Sequence, residues 1–301
     1  MRHSDHRPDV KPPQRWRFPD PTRLWLDNGM QLMACHREGQ HVAAVALVFD
    51  APLNAEPVDI EGVATITQRC LDEGTGTHPG LAFAERLEDI GAVLGGGAGY
   101  SGSELFLEVP TDRLGDALPL LAEVVREPEL RPDEVTRHRA LRLAEIEHTL
   151  ANSAQRAAFG FRAACIGGRY RASRMVGGDA ATVAAVTPED VVAYHARHYR
   201  PDGATLIISG DLSGREFAQA AEAFGDWTNP LQGYVSHQVP EPRTPRCWLI
   251  DRPGAVQADV RLGAFGIDRG DPRWADLQVA THALGGAFLS RLNRVLREEK
   301  G

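Results

Sequence analysis

The residues most able to do chemistry lie on one predicted helix, which begins near Pro132 and runs past Leu150. His138, Leu141, Glu145 and His148 follow one another at spacings of 3, 4 and 3, so they share one helical face. An imidazole and a carboxylate on one face are ordinary divalent-metal donors. Glu145 and His148 would need His78 or Glu73 from another element to complete a set. His195 and His198 in YHARHY form a second pair at helical spacing, and His3 and His6 lie in a polar N-terminal stretch. The run Gly95-Gly96-Gly97-Ala98-Gly99 is not a phosphate loop, since no Lys-Ser/Thr follows it and no helix begins there. Cys35, Cys70, Cys165 and Cys247 are widely scattered without C-x-x-C spacing. They read as buried free thiols in a reducing compartment, with the cytoplasm the expected location.

These side chains need elements to position them. LWLDNGMQLMACH has two alternating runs around Asn28-Gly29, a hairpin signal, and HVAAVALVFD (41–50) reads as a central strand. EGVATITQRCLDEGTG predicts a helix from about 60 to 72, closed by Gly74, and LAFAERLEDIG a second. GAVLGGGAGYSGSELFLEVP predicts two strands, but the glycine run within it weakens the first and reads as a flexible loop. DRLGDALPLLAEVVRE is an amphipathic helix. The long helix from Pro132 carries an apolar stripe of Val135, Leu143, Ile146 and Leu150. VTPEDVVAYHARHYRPDGATLIISGDL predicts a helix, a break, and a buried strand over 204–209. Residues 1–22 are polar and Pro-rich, a disordered leader without the apolar centre of a secretory signal. Residues 229–245, with Pro230, Pro240, Pro242 and Pro245, read as a linker. Beyond it, RCWLIDRPGAVQADVRLGAFGI restarts the strand pattern and HALGGAFLSRLNRVLREE predicts a helix, so the second half repeats the opening of the first.

Composition excludes several classes. The 301 residues are 43% hydrophobic and 25% charged, an ordinary globular mixture able to bury a core. A net charge of −8 argues against nucleic acid or an anionic membrane as partner. The longest apolar run, 42–49, is too short to cross a bilayer.

Taken in order, LDNGMQL, EGVAT…EGTGT, LEDIGAVLGGG, VTPEDVVAYHARHYRPDGATLIISGDL and LGGAFLSRLNRVLREEKG resemble the pitrilysin/insulinase family of zinc metallopeptidases, the inverzincins. The resemblance implies an α+β fold, an antiparallel-rich sheet covered by helices. It further implies one complete unit over 23–228 and the truncated start of a second, homologous unit over 246–301. The family's H-x-x-E-H motif belongs on the 60–72 helix, where two histidines at i and i+4 share one zinc and the Glu deprotonates its water. Thr65, Gln68 and Arg69 stand at those three positions. Thr is a poor neutral ligand, Gln cannot accept the proton, and Arg puts a fixed positive charge where the cation would sit. The family's third ligand, a later Glu, corresponds to Glu145, 76 positions after Arg69. Arg69 is therefore expected to take the vacated zinc position and pair with Glu145.

The resemblance thus implies a non-catalytic homologue with no cofactor of its own, although active members hold zinc. Its expected work is to bind peptide or to support a homologous active peptidase chain as a heterodimer. One alternative is a structural scaffold subunit of a larger complex; another is a zinc metalloendopeptidase using unconventional ligands such as His138 and His148. Family members bind extended substrate by adding it to the strand that Gly95, Gly96 and Gly97 replace here. Arg297 matches a family arginine that orients the substrate carbonyl.

Overall fold

The computed structural model describes residues 12, 17–229, 240–241 and 247–301. The leader expected over 1–22 and the linker over 229–245 fall mostly outside these residues. Six strands form one sheet: β1 (Thr22–Trp25), β2 (Gln31–His36), β3 (Val42–Phe49), β4 (Val93–Ala98), β5 (Ser103–Pro110) and β6 (Ala204–Gly210). Their order is β1-β2-β6-β3-β5-β4, antiparallel throughout except for the parallel β2–β6 pair.

Period-2 alternation decides which face is inside. Alternate residues of β3 (Ala43, Val45, Leu47, Phe49) and β5 (Ser103, Leu105, Leu107, Val109) are buried, and register aligns them with Leu206 and Ile208 of β6. One core row therefore runs Leu32–Leu206–Leu47–Leu105 and ends at Gly96 on the edge. The next runs Ala34–Ile208–Val45–Leu107 and ends at Leu94. These rows form the sheet side of a core that helices complete: α1 (Val63–Cys70) meets β4, α3 (Leu114–Arg126) meets β5, and α8 (Glu216–Phe224) meets β2. Helix α2 (Leu81–Asp89) leads into β4. Helix α4 (Pro132–Ala151) lies against α1, and α7 (Pro188–His198) packs on both. A capping box with Thr187 and Asp190 starts α7, and a second with Asp179 and Thr182 starts α6 (Ala180–Ala185).

Three expectations are corrected and one is met. First, the glycine run is not a loop but most of β4, laddered to β5 with Gly95 opposite Phe106, Gly96 opposite Leu105 and Gly97 opposite Glu104. The ladder offered by β5 outweighs the low strand preference of glycine. Second, the long helix runs past Leu150 as expected, to Ala151, and Asn152, extended at φ −79° and ψ 120°, then caps a separate α5 (Ser153–Ile166) through its side chain. Third, the strand pattern of the second half forms no strand among residues 247–268: Val256, Val260 and Leu262 are exposed, and the segment runs beside α5 instead. A strand needs a ladder partner, and this segment pairs with none among the described residues. Fourth, the last predicted helix is interrupted. Helix α9 (Trp274–Thr281) continues into a π-helical turn at His282–Gly286, then breaks at Ala287 (ψ 157°) before the short helical pieces Arg291–Asn293 and Arg294–Glu299. Of the four free cysteines only Cys70 is buried, and Cys247 is exposed. No described helix is long and apolar enough to cross a membrane.

Candidate functional site

The site is organised around α1, and α1 is held by a buried ion pair. Gly62 starts the helix at φ +110°, where a Cβ would collide with Val183 and the Gly177 carbonyl. The two free amides of Gly62 and Ala64 donate to Glu56 Oε1 at 2.9 and 3.0 Å. Arg171 binds the other oxygen of Glu56 through Nε (3.0 Å) and Nη2 (2.8 Å), and both side chains are almost fully buried. Burial pushes the Glu56 carboxyl up, and the Arg171 charge and the helix amides pull it back. This clamp fixes the face of α1 that looks at α4 and β4.

On that face Arg69 reaches α4. Its Nη1 donates to Glu145 Oε1 at 2.9 Å and its Nη2 to Oε2 at 3.0 Å, a parallel two-point pair across 76 positions of sequence. Arg142 adds a third bond to Glu145 Oε2 at 3.0 Å while its Nε donates to the Gly177 carbonyl. The Arg69 bonds, ahead of those from Arg142, hold the Glu145 carboxyl below its ordinary range. Thr65 is half-buried, and its Oγ1 has no partner among the described residues. Gln68 lies over the edge strand: a Cβ on Gly96 would collide with its Nε2 and with the Glu104 carbonyl. On the opposite face of β4 the Phe106 ring covers Gly95 in the same way, whereas Gly97 has nothing near it.

A cleft of about 370 Å³ lies between these elements, lined by Gln68, Arg69, Glu73, Gly96, His138 and Leu141 among others. The residues present do not fit the zinc that the resemblance implies. Where the resemblance places the ligands stands a guanidinium whose two forks already bind Glu145, the carboxylate expected as the third ligand.

Of the other candidates, His138 is brought to Glu73 and Glu134, not to His148, which is exposed further along α4. His78 Nδ1 lies 2.9 Å from Glu123 Oε2. His195 and His198 belong to an aromatic cluster: His195 stacks on Tyr199, its Nε2 lies 2.9 Å from the Val125 carbonyl, and His198 packs on Tyr194. Burial lowers both imidazoles to about 4. Arg297 is placed over the Phe288 ring at 5.0 Å. The Glu56–Arg171 clamp and the tie from Arg174 to Glu61 were not found by sequence reasoning. Their partners are more than a hundred positions apart and follow no period.

The insulinase (peptidase family M16) model matches residues 32–167, and the peptidase M16 inactive-domain model matches residues 185–301. Fold and matches together define a unit of the insulinase/pitrilysin class. The chain belongs to that family. An "uncharacterized zinc protease" of Mycobacterium tuberculosis is 27% identical over 286 residues, 93% of this chain and 65% of the relative, so the chain spans about two thirds of that relative's length. Cytochrome b-c1 complex subunit 1 of Bos taurus is 23% identical over 197 residues, 65% of this chain and 41% of that one. The crystal structure of a peptidase M16 inactive domain from Pseudomonas fluorescens superposes with a TM-score of 0.77 at 24% identity, covering 93% of this chain and 68% of the other.

Proposed function

We propose that this chain is a catalytically inactive member of the family that binds extended peptide and supports a homologous, active zinc peptidase chain, as one half of a cytoplasmic heterodimer. The observation that carries the reading is the two-point bond of Arg69 to Glu145. It sets a fixed positive charge on the carboxylate that would be the third zinc ligand. The neighbouring Gln68 amide cannot take a proton from water, so the general base is missing as well.

Peptide binding finds its support in the sheet edge. β4 is the last strand of the sheet, so among the described residues one side of its backbone has no ladder partner. That edge borders the cleft through Leu94, Gly95 and Gly96, and an extended peptide can add to it as a further strand. The test is to titrate the chain into a fluorophore–quencher peptide that extended-strand peptidases cleave. Anisotropy should rise with no release of the quencher, and adding a chelator should change nothing. Cleavage that a chelator abolishes would overturn the reading and favour a peptidase with unconventional ligands.

A second reading, a structural scaffold subunit, draws on the likeness to cytochrome b-c1 complex subunit 1. It would be favoured by co-purification with a large membrane complex and no response to peptide.

A further inference from the structure

We propose that Glu73, Glu134 and His138 form a site for one divalent cation of the Zn²⁺/Mn²⁺/Co²⁺ class, separate from positions 65, 68, 69 and 145, with the Arg137 guanidinium holding the place when no metal is bound. One donor atom from each of the three residues lies within 4.8 Å of the others, close enough for modest side-chain movement to close them around an ion. They come from two elements. Glu73 stands just past the end of α1, while Glu134 and His138 are four positions apart on α4 and so share a face. An imidazole with two carboxylates suits a borderline transition metal, and three protein ligands leave room for water. Glu73 and His138 also line the cleft, which supplies an entry path.

His138 presents Nε2 to the cluster from a buried position. The residue is 8% exposed, and its Nδ1 is buried without a partner among the described residues. Its Nε2 is 2.8 Å from Glu73 Oε1 and also 3.0 Å from an Arg137 nitrogen. If Nε2 carries the proton it satisfies Glu73 and opposes the Arg137 donor. If it does not, it accepts from Arg137 and turns its lone pair on a carboxylate oxygen. Either neutral tautomer leaves one contact mismatched while Arg137 stays in place; with Arg137 turned out, a cation between Nε2 and Glu73 Oε1 engages both, the ring proton then lying on Nδ1.

Arg137 supplies the positive charge now. Its Nε donates to Glu134 Oε2 at 2.5 Å and its Nη2 contacts Glu73 Oε1. Its side chain is 46% exposed, so it can swing into water and leave the three donors to a metal. Arg131 retains the other oxygen of Glu134.

The test is a titration of metal-free, full-length chain with Co²⁺, read by its visible d–d bands, and with Zn²⁺, read by calorimetry. One ion per chain is expected. Affinity should fall about tenfold or more in His138→Ala and in Glu73→Gln, and rise in Arg137→Gln, which removes the competing cation. Glu73 is only half-buried, so Glu73→Gln keeps the test sound if His138→Ala fails to fold. Absence of binding in the natural chain overturns the proposal, even if Arg137→Gln binds, because Arg137 is then the permanent cation. Binding equal in His138→Ala, Glu73→Gln and the natural chain also overturns it, since the ion then sits elsewhere, as on His3 and His6. Hydrolysis is not read, so the outcome is independent of the peptide-binding reading.

Discussion

At the scale of single residues, two arginine–glutamate pairs near α1 have opposite energetic weight. Glu145 is 42% exposed and Arg69 31%, so water screens their pair despite its good geometry. Removing one partner leaves the other able to solvate. Arg69→Ala is expected to lower stability by about 1 kcal/mol or less, with a double-mutant cycle against Glu145→Ala returning a coupling of the same size. Arg171 and Glu56 are 4% and 0% exposed. Arg171→Ala strands a carboxylate in the core and loosens the clamp on the α1 amides, so a loss of about 3–5 kcal/mol is expected. Urea unfolding of the two variants checks the ordering; equal losses would mean that the clamp does not govern α1. The pair that matters less for stability was the legible one. Arg69 and Glu145 were placed by family spacing, whereas nothing in the local pattern around Glu56 names Arg171.

At the scale of elements, β4 shows where propensity misleads. Three successive glycines argue against a strand, yet each has a ladder position opposite β5. Two of them are there because side chains occupy the space: Gln68 over Gly96 on the helix side, Phe106 over Gly95 on the other. Gly96→Val has to push aside both an amide side chain and a backbone carbonyl, and a loss of about 1–3 kcal/mol is expected, together with weaker peptide binding at the edge. Gly97→Val meets nothing and adds strand preference, so it should be neutral or stabilising. Thermal melts of the two variants side by side make the comparison. Equal losses would show that backbone freedom, not packing, is what the glycines provide. Most other elements were legible because they carry a period: the alternation of β3, β5 and β6, and the Thr187-Pro188-Glu189-Asp190 start of α7. The break at Asn152 was not, because the apolar positions continue through it and only one side-chain cap marks the stop.

At the scale of the molecule, residues 22–227 close one core, whose last members are Phe224 and Trp227, while residues 247–301 leave many large apolar side chains exposed. The strand-like alternation of the second half forms no strand among the described residues, since alternation yields a strand only where it joins a ladder. The core also sets the response to acid. His195 and His198 stand at about 4 in the folded chain, against about 6.5 when unfolded. The folded pKa values are depressed, so between these limits the unfolded chain binds more protons than the folded one. Stability therefore falls as pH drops from about 6.5 towards 4, by up to about 1.4 kcal/mol per pH unit for each histidine. Below pH 4.5, Glu145 and Glu216, both held under the ordinary carboxylate range, add to the loss, while Glu56, pushed up by burial, opposes it. Urea midpoints at pH 7.5, 6 and 5 should decline in that order, and His195→Gln, which cannot titrate, should flatten the decline. A midpoint unchanged between pH 7.5 and 5 would mean that both imidazoles titrate normally and that the aromatic cluster around Tyr194 and Tyr199 is open to water.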